Sequence, residues 1–295
     1  MATASEWVEG LRLRTLAASV SPVLVGLGAS WRVVAPNWGR AALALVVALG
    51  MQIGANFAND YSDGIRGADV ARQGPQRLTA SGAARPATVR NAALVSFTVA
   101  AAAGIALTIW TKQWWLIGIG ALAIAAAWLY TGGRRPYGYR ALGEVGVLIF
   151  FGLVPVVGTC YTQYLQVPWR AWVASAAMAL MACAILMANN LRDITTDQQA
   201  GKITLAVKLG DQRARLVYAW EMWLALVIGA LCAIGRLHVL IVLLMAVPVA
   251  RLTSLVSSGA KGQDLVTVLR GTGQTELCFA ILLGLALADL GLFQQ

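Results

Sequence analysis

Apolar residues run along this chain in long unbroken blocks, such as AALALVVALGMQIGA (41–55) and LVSFTVAAAAGIALTIW (94–110). Blocks of this length match a hydrocarbon core roughly 30 Å thick, which a helix crosses in about 20 residues. The pattern predicts nine helices, at 15–33, 40–59, 88–110, 114–130, 143–163, 170–191, 214–234, 238–257 and 274–293. The expected fold class is all-α: a polytopic membrane bundle of nine transmembrane helices, formed as a single domain over 1–295. A β-barrel is excluded because the blocks do not alternate with period two. The polar head MATASEWVEGLRLR carries no cleavable-signal pattern. It reads as an interfacial amphipathic segment with Trp7, Val8 and Leu11 toward lipid.

Composition agrees with the pattern. Only 12% of residues are charged, about half the share of a soluble domain. Lys and Arg fall on alternate connections. One side receives Arg12 and Arg14, then the basic residues at 66–90, 134–140, 192–215 and 251–270. The other receives only Arg32, Arg40, Lys112, Arg170 and Arg236. Short connections rich in Lys and Arg stay cytoplasmic, so the N-terminus is expected inside and the C-terminus outside. The formal charge of +10 then follows from topology and calls for no nucleic acid. No required protein partner is evident. Tryptophans 31, 38, 110, 114, 115, 169 and 172 fall at the predicted outer ends, as an aromatic belt would. Cys160, Cys183, Cys232 and Cys278 lie far apart in apolar blocks and read as buried packing. The single histidine, His238, excludes a histidine cluster.

Two polar stretches interrupt the picture. NFANDYSDGIRGAD (56–69) follows the second block and NNLRDITTDQQAGK (189–202) follows the sixth, so both face the cytoplasm. On a helix, Asn56, Asp60 and Asp63 share one face, and Asn189, Asp193 and Asp197 share another. If the faces converge, four carboxylates line one cavity. Two like charges 4 Å apart repel by about 4 kcal/mol at an effective dielectric near 20, so four such charges would be protonated, splayed or neutralised by bound cations. Oxygen ligands suit Mg²⁺, which typically combines one or two carboxylates with substrate phosphates. Ser62, Thr195 and Thr196 could support the ligands. Arg66, Arg72, Arg77, Lys202 and Lys208 in the loops beyond would suit a diphosphate. Helix capping accounts for one Asp or Asn, and the positive-inside effect for any one Arg; neither accounts for two matched sets. An EF-hand centred on Gly64 would need an acid at Tyr61 and Glu at Val70, and a P-loop would need glycine at Thr196.

At these residues the chain resembles the UbiA superfamily of intramembrane aromatic prenyltransferases. The likeness includes RTLAASVSPVLVG (14–26), NFANDYSDGIRGAD with GPQRLTASG, YTGGRRPYGYRALGEVGVLIFFGLVPVVGT (130–159) and NNLRDITTDQQAGKITLAVKLG (189–210). It is greatest to the branch that takes 1,4-dihydroxy-2-naphthoate as acceptor. The resemblance implies a nine-helix bundle whose central cavity is capped by cytoplasmic loops. It also implies Mg²⁺-dependent transfer of a polyprenyl group from polyprenyl diphosphate to an aromatic acceptor. Asn59, Asp60 and Asp63 match the first aspartate motif of the family, and Asp193 and Asp197 the second. Many members carry a further Asp where this chain has Gly67, and no ligand role passes to Asp69. For the acceptor, the loop 130–144 is the candidate, with Arg135 or Arg140 on its carboxylate, Tyr137, Tyr139 and Phe150 against its ring, and Glu144 nearby. Rival readings are a sister enzyme acting on 4-hydroxybenzoate, homogentisate or a haem, and a cation-coupled transporter. Transport would want acids mid-span, and Glu221, Glu276 and Asp289 lack partners of matched spacing.

Overall fold

A computed structural model describes residues 2–13, 16–69 and 77–289. A short α1 (Ala4–Gly10) precedes α2 (Ala17–Trp31), α3 (Trp38–Ile65), α4 (Pro86–Thr111) and α5 (Leu116–Thr131). A 3-10 turn at Tyr137–Tyr139 leads into α6 (Gly143–Val147), a π-helical segment at Leu148–Leu153 and α7 (Val154–Tyr164), which form one rod. Then come α8 (Trp169–Arg192), the short α9 (Ile194–Gln199) and α10 (Leu205–Leu209), and α11 (Asp211–Leu231). A 3-10 stretch at Leu237–Met245 runs into α12 (Ala246–Ser257), and α13 (Gln263–Ala288) follows. The fold is all-α, as the apolar blocks predict.

Among the described residues, seven helical rods are long and apolar enough to cross a membrane. The expected spans 15–33 and 114–130 correspond to α2 and α5, which are apolar but have only 15 and 16 residues. At 1.5 Å per residue these reach roughly 22–24 Å, short of a full hydrocarbon core. The ninth expected span, 274–293, also shifts: α13 begins at Gln263, and residues 290–293 lie outside the described residues. Its first turns looked like a loop because polar residues interrupt the block. In the bundle Leu265, Val268, Thr272 and Gly273 are buried, so residues 263–273 continue the helix.

Local chemistry explains several boundaries. The Asn37 side chain accepts from the Arg40 amide at 3.0 Å and starts α3, as an N-cap does. Pro86 opens α4, where its missing N–H costs nothing. In the α6–α7 rod the Val154 N–H reaches back to the Ile149 carbonyl, five residues away. Pro155 cannot donate to the carbonyl four residues earlier, and the wider π turn accommodates it.

The core forms around α8, where Ala174, Ala177, Met178, Met181, Ala184 and Met187 are all buried. Small residues let helices approach: a methyl group at Gly28 would collide with the Gly284 carbonyl of α13, and one at Gly152 with the Ala179 backbone of α8. A second cluster around Phe57, Leu78, Val89 and Phe97 joins α3 to α4. The head docks here rather than facing lipid. Trp7 meets Phe57 edge-on at 5.6 Å and Leu11 packs on the same cluster, leaving Val8 exposed. Three cysteines are buried as expected, but Cys278 is exposed.

The two ends of the bundle differ. At one, Arg40 lies over the Trp110 ring at 5.9 Å, Arg170 over Trp169 at 4.6 Å, and Arg32 pairs with Asp289 at 2.9 Å. Trp38, Trp110, Trp114, Trp115, Trp169 and Trp172 are exposed at this end, consistent with an aromatic belt. The opposite end gathers both acidic stretches. Gly28→Val is expected to overpack the α2–α13 contact by about 1–3 kcal/mol and lower the melting temperature in detergent by several degrees. Gly118→Ala, in open space, should leave it unchanged; equal melting of both variants would refute this packing.

Candidate active site

The last turns of α3 present the first acidic stretch. Asn56 accepts from Gln52 Nε2 at 3.3 Å and donates to the Leu11 carbonyl at 3.0 Å, fastening the head to the bundle. Asn59 accepts the Thr131 hydroxyl at 2.8 Å. Asp60 directs both carboxylate oxygens to backbone amides, those of Leu78 and Thr79, each at 2.9 Å. Asp63 accepts the Tyr139 hydroxyl at 2.8 Å on one oxygen and meets the Lys202 ammonium at 3.1 Å with the other.

The second stretch turns from α8 into α9. Arg192 forks onto Asp193 with bonds of 2.7 and 2.6 Å and also donates to Asn189 at 2.9 Å. Asp197 holds the Lys202 amide through its carbonyl at 2.8 Å, and its carboxylate lies 3.7 Å from the Lys202 ammonium. Gly201, at φ 70, lets the chain reverse so that Lys202 points back between the two stretches. One cation therefore stands between Asp63 of α3 and Asp197 of α9.

This separates the seven predicted ligands into two groups. Asp63 and Asp197 share one cation, while Asn56, Asn59 and Asn189 border the same cavity as Asp63. Asp60 and Asp193 instead hold a backbone turn and a neighbouring guanidinium. Among the described residues, no three Asp, Glu, His or Cys side chains form a metal-binding group. Four carboxylates converging on one cavity is thus not the arrangement seen.

The basic residues also divide. Arg77 is buried, borders the cavity and lies 3.2 Å from Asp69. Arg66 binds the Thr131 and Gly133 carbonyls and lies 5.6 Å from the Tyr139 ring centre, away from the cavity. Arg72 lies outside the described residues. Lys202 is 5.5 Å from the Tyr139 ring, so that ring sits between two cations. Burial, then the Asp63 carboxylate, push the Tyr139 hydroxyl well above its ordinary pKa, keeping it a donor at neutral pH. Burial pushes Tyr137 up to about 12.

Below this polar end lies a cavity of about 480 Å³, walled by apolar residues of α2, α3, α4, α5 and α7 and by Tyr137, Phe150 and Phe151. Arg135 and Arg140 are exposed and do not border it. The Gly133 turn carries Arg135 outward, and Arg140 belongs to the edge where the Ala141 amide meets the Ile203 carbonyl at 2.8 Å. Tyr139 and Glu144 stand behind the wall, not on it. Sequence reading passed over Arg12, Gln52 and Asn190, which do border the cavity, and Arg192, which looked like one more positive-inside residue. Signals existed for two of them: the Asn189–Asn190 doublet, and an Arg beside Asp193.

Known proteins share this architecture. Residues 19–266 match the UbiA prenyltransferase family. A 1,4-dihydroxy-2-naphthoate octaprenyltransferase from Mycobacterium tuberculosis is 47% identical, covering 98% of each chain. The enzyme of that name from Escherichia coli is 37% identical over 79% of this chain and 77% of its own. A UbiA homolog from Archaeoglobus fulgidus, solved with DMAPP and Mg²⁺, has the same fold with a TM-score of 0.70 at 15% identity, covering 97% of this chain and 99% of its own. The chain belongs to the UbiA prenyltransferase family.

Asp60→Ala should release the turn at Leu78 and Thr79 while leaving α8 intact. Hydrogen exchange at those two amides is expected to speed up about tenfold or more, matching loss of roughly 1.5–3 kcal/mol from bonds to a charged acceptor. Unchanged exchange would show that Asp60 does not hold the turn.

Proposed function

We propose that this protein transfers a polyprenyl group from polyprenyl diphosphate to 1,4-dihydroxy-2-naphthoate, releasing diphosphate and CO₂ and giving demethylmenaquinol, a step of menaquinone biosynthesis. The observation that carries the reading is the Asp63–Lys202–Asp197 bridge at the polar end of an apolar cavity. The near-full-length identity to relatives named for this reaction supports it.

The residues fit Mg²⁺. Two carboxylates from separate helices already converge on one cation, Lys202, and Mg²⁺ usually takes one or two carboxylates with substrate phosphates and water. Asp63 and Asp197 would hold it, and Asn59 and Asn189 border the same cavity as Asp63. When bound, Mg²⁺ supplies positive charge that offsets the charge developing on the departing diphosphate. Lys202 and Arg77 would pair with diphosphate oxygens. Tyr139 keeps Asp63 oriented through its 2.8 Å hydrogen bond. The apolar walls exclude water from the allylic cation left as the C–O bond breaks, and the prenyl tail gains about 0.8 kcal/mol per buried CH₂.

The distribution of Lys and Arg supports an active site facing the cytoplasm, with the N-terminus inside and, if α2 and α5 both cross, the C-terminus outside. The acidic stretches and Lys202 occupy the Arg-rich end, and the aromatic belt the other.

Protein in lipid vesicles, given Mg²⁺, a polyprenyl diphosphate and dihydroxynaphthoate, is expected to yield the decarboxylated prenyl product by mass spectrometry. Chelating Mg²⁺ should abolish it and adding Mg²⁺ back should restore it. Asp63→Asn and Asp197→Asn should each lower turnover a hundredfold or more, the scale of losing one electrostatic contact to the reacting centre. A product formed only with 4-hydroxybenzoate, homogentisate or a haem would move the protein to a sister reaction. Full turnover in either variant would remove the carboxylate assignment.

A further inference from the structure

One wall of the cavity, where the α6–α7 rod meets α8, has a chemistry the diphosphate reading does not use. Asn190, in the last turn of α8, is only 4% exposed yet borders the cavity. Its Nδ2 donates to Glu144 Oε1, at the first turn of α6, at 3.3 Å. Glu144 is itself anchored: the Cys183 thiol donates to its backbone carbonyl at 3.5 Å. Its other carboxylate oxygen, Oε2, is buried without a hydrogen-bond partner.

The Asn190–Glu144 bond turns the amide Nδ2 toward Glu144. With Nδ2 turned to Glu144, the group left for the cavity is Oδ1, a hydrogen-bond acceptor. An acceptor backed by a carboxyl group is unsuited to a diphosphate, which seeks donors and cations; it suits an O–H. Aromatic rings line the same cavity. The π turn at Leu148–Leu153 sends two successive rings, Phe150 and Phe151, to the cavity, and Tyr137 closes the same side. A regular α-helix would set successive side chains about 100° apart, so a helix edge seldom offers both. Planar walls and one acceptor atom describe a slot for a hydroxylated aromatic ring.

Resting on the reading of the reaction given above, we propose that Asn190, oriented by Glu144, receives a ring hydroxyl of the aromatic acceptor. Asn190 is the contact and Glu144 the positioning residue. A buried amide oxygen or ligand hydroxyl left unbonded costs about 1–3 kcal/mol, so the pair rejects ring acceptors whose hydroxyl is missing or capped.

Steady-state kinetics on the vesicle-embedded protein test this with two substrates and three variants. Asn190→Ala should raise the acceptor KM about tenfold or more and leave the prenyl diphosphate KM within about twofold. Glu144→Leu should do the same, whereas Glu144→Gln, which keeps an oxygen for Asn190 Nδ2, should stay near the unmodified protein. The two monomethyl ethers of the acceptor serve even if a variant fails to fold. One of them should bind the unmodified protein about tenfold or more worse than the diol, and Asn190→Ala should not discriminate between that pair. An acceptor KM unmoved by Asn190→Ala, a donor KM raised equally, or full affinity for both ethers would overturn the proposal. If dihydroxynaphthoate is refused and another hydroxyarene is prenylated, the reaction reading fails. The same kinetics on the accepted arene, with its methyl ether, then decide the role of Asn190.

Discussion

The arrangement of the polar end depends on one contact: the Lys202 ammonium between the carboxylates of Asp63 and Asp197, at 3.1 and 3.7 Å. The two acids come from helices more than a hundred residues apart in the chain, at the end of apolar rods where uncompensated charge is costly. At an effective dielectric near 20, opposite charges at such distances attract by about 4 kcal/mol. Like charges repel by as much, so the stretches meet only with a cation between them. Other contacts gather around that cation. Tyr139 reaches Asp63, the Ala141 amide binds the Ile203 carbonyl, and Asn59 holds Thr131. In the proposed reaction, the protein's own ammonium keeps a place for positive charge that two carboxylates would share with a diphosphate.

The cavity below explains why such a site lies in a membrane. Its charged side chains, Arg12, Asp63, Arg77 and Lys202, gather at one end, and most of the rest is apolar. A lipid tail enters without desolvating charges, and a reactive cation formed beside the carboxylates has little water near it. The small residues that bring α2 onto α13 and the π turn onto α8 allow these walls to close tightly.

How far the chain could be read differs by element. The apolar blocks located the rods, because spanning length is set by the bilayer and not by tertiary detail. They failed at the start of α13, where residues 263–273 mix polar with apolar positions and Leu265, Val268 and Thr272 are buried in the bundle. Spacing put Asp63 and Asp197 on helices, where the structure has them, but missed the break at Asp193 between α8 and α9 and could not say where each acid points. Asp60 turns to amides of Leu78 and Thr79, contributed by a turn that no periodicity connects to it. Asp193 turns to its own neighbour, Arg192. Arg135 and Arg140 carried the right charge for an anionic acceptor, yet loop geometry turns them outward. Asn190 was hidden by its neighbour: one helix step separates it from Asn189, which is enough to face another wall.

The most direct measurement is an experimental structure of the protein with Mn²⁺ in place of Mg²⁺ and a non-hydrolysable prenyl diphosphate analogue. Anomalous scattering should place the metal between Asp63 and Asp197, with the Lys202 ammonium moved onto a phosphate oxygen and Asp60 still bound to Leu78 and Thr79. Metal coordinated elsewhere, with Lys202 still bridging the two carboxylates while the diphosphate is bound, would contradict the account.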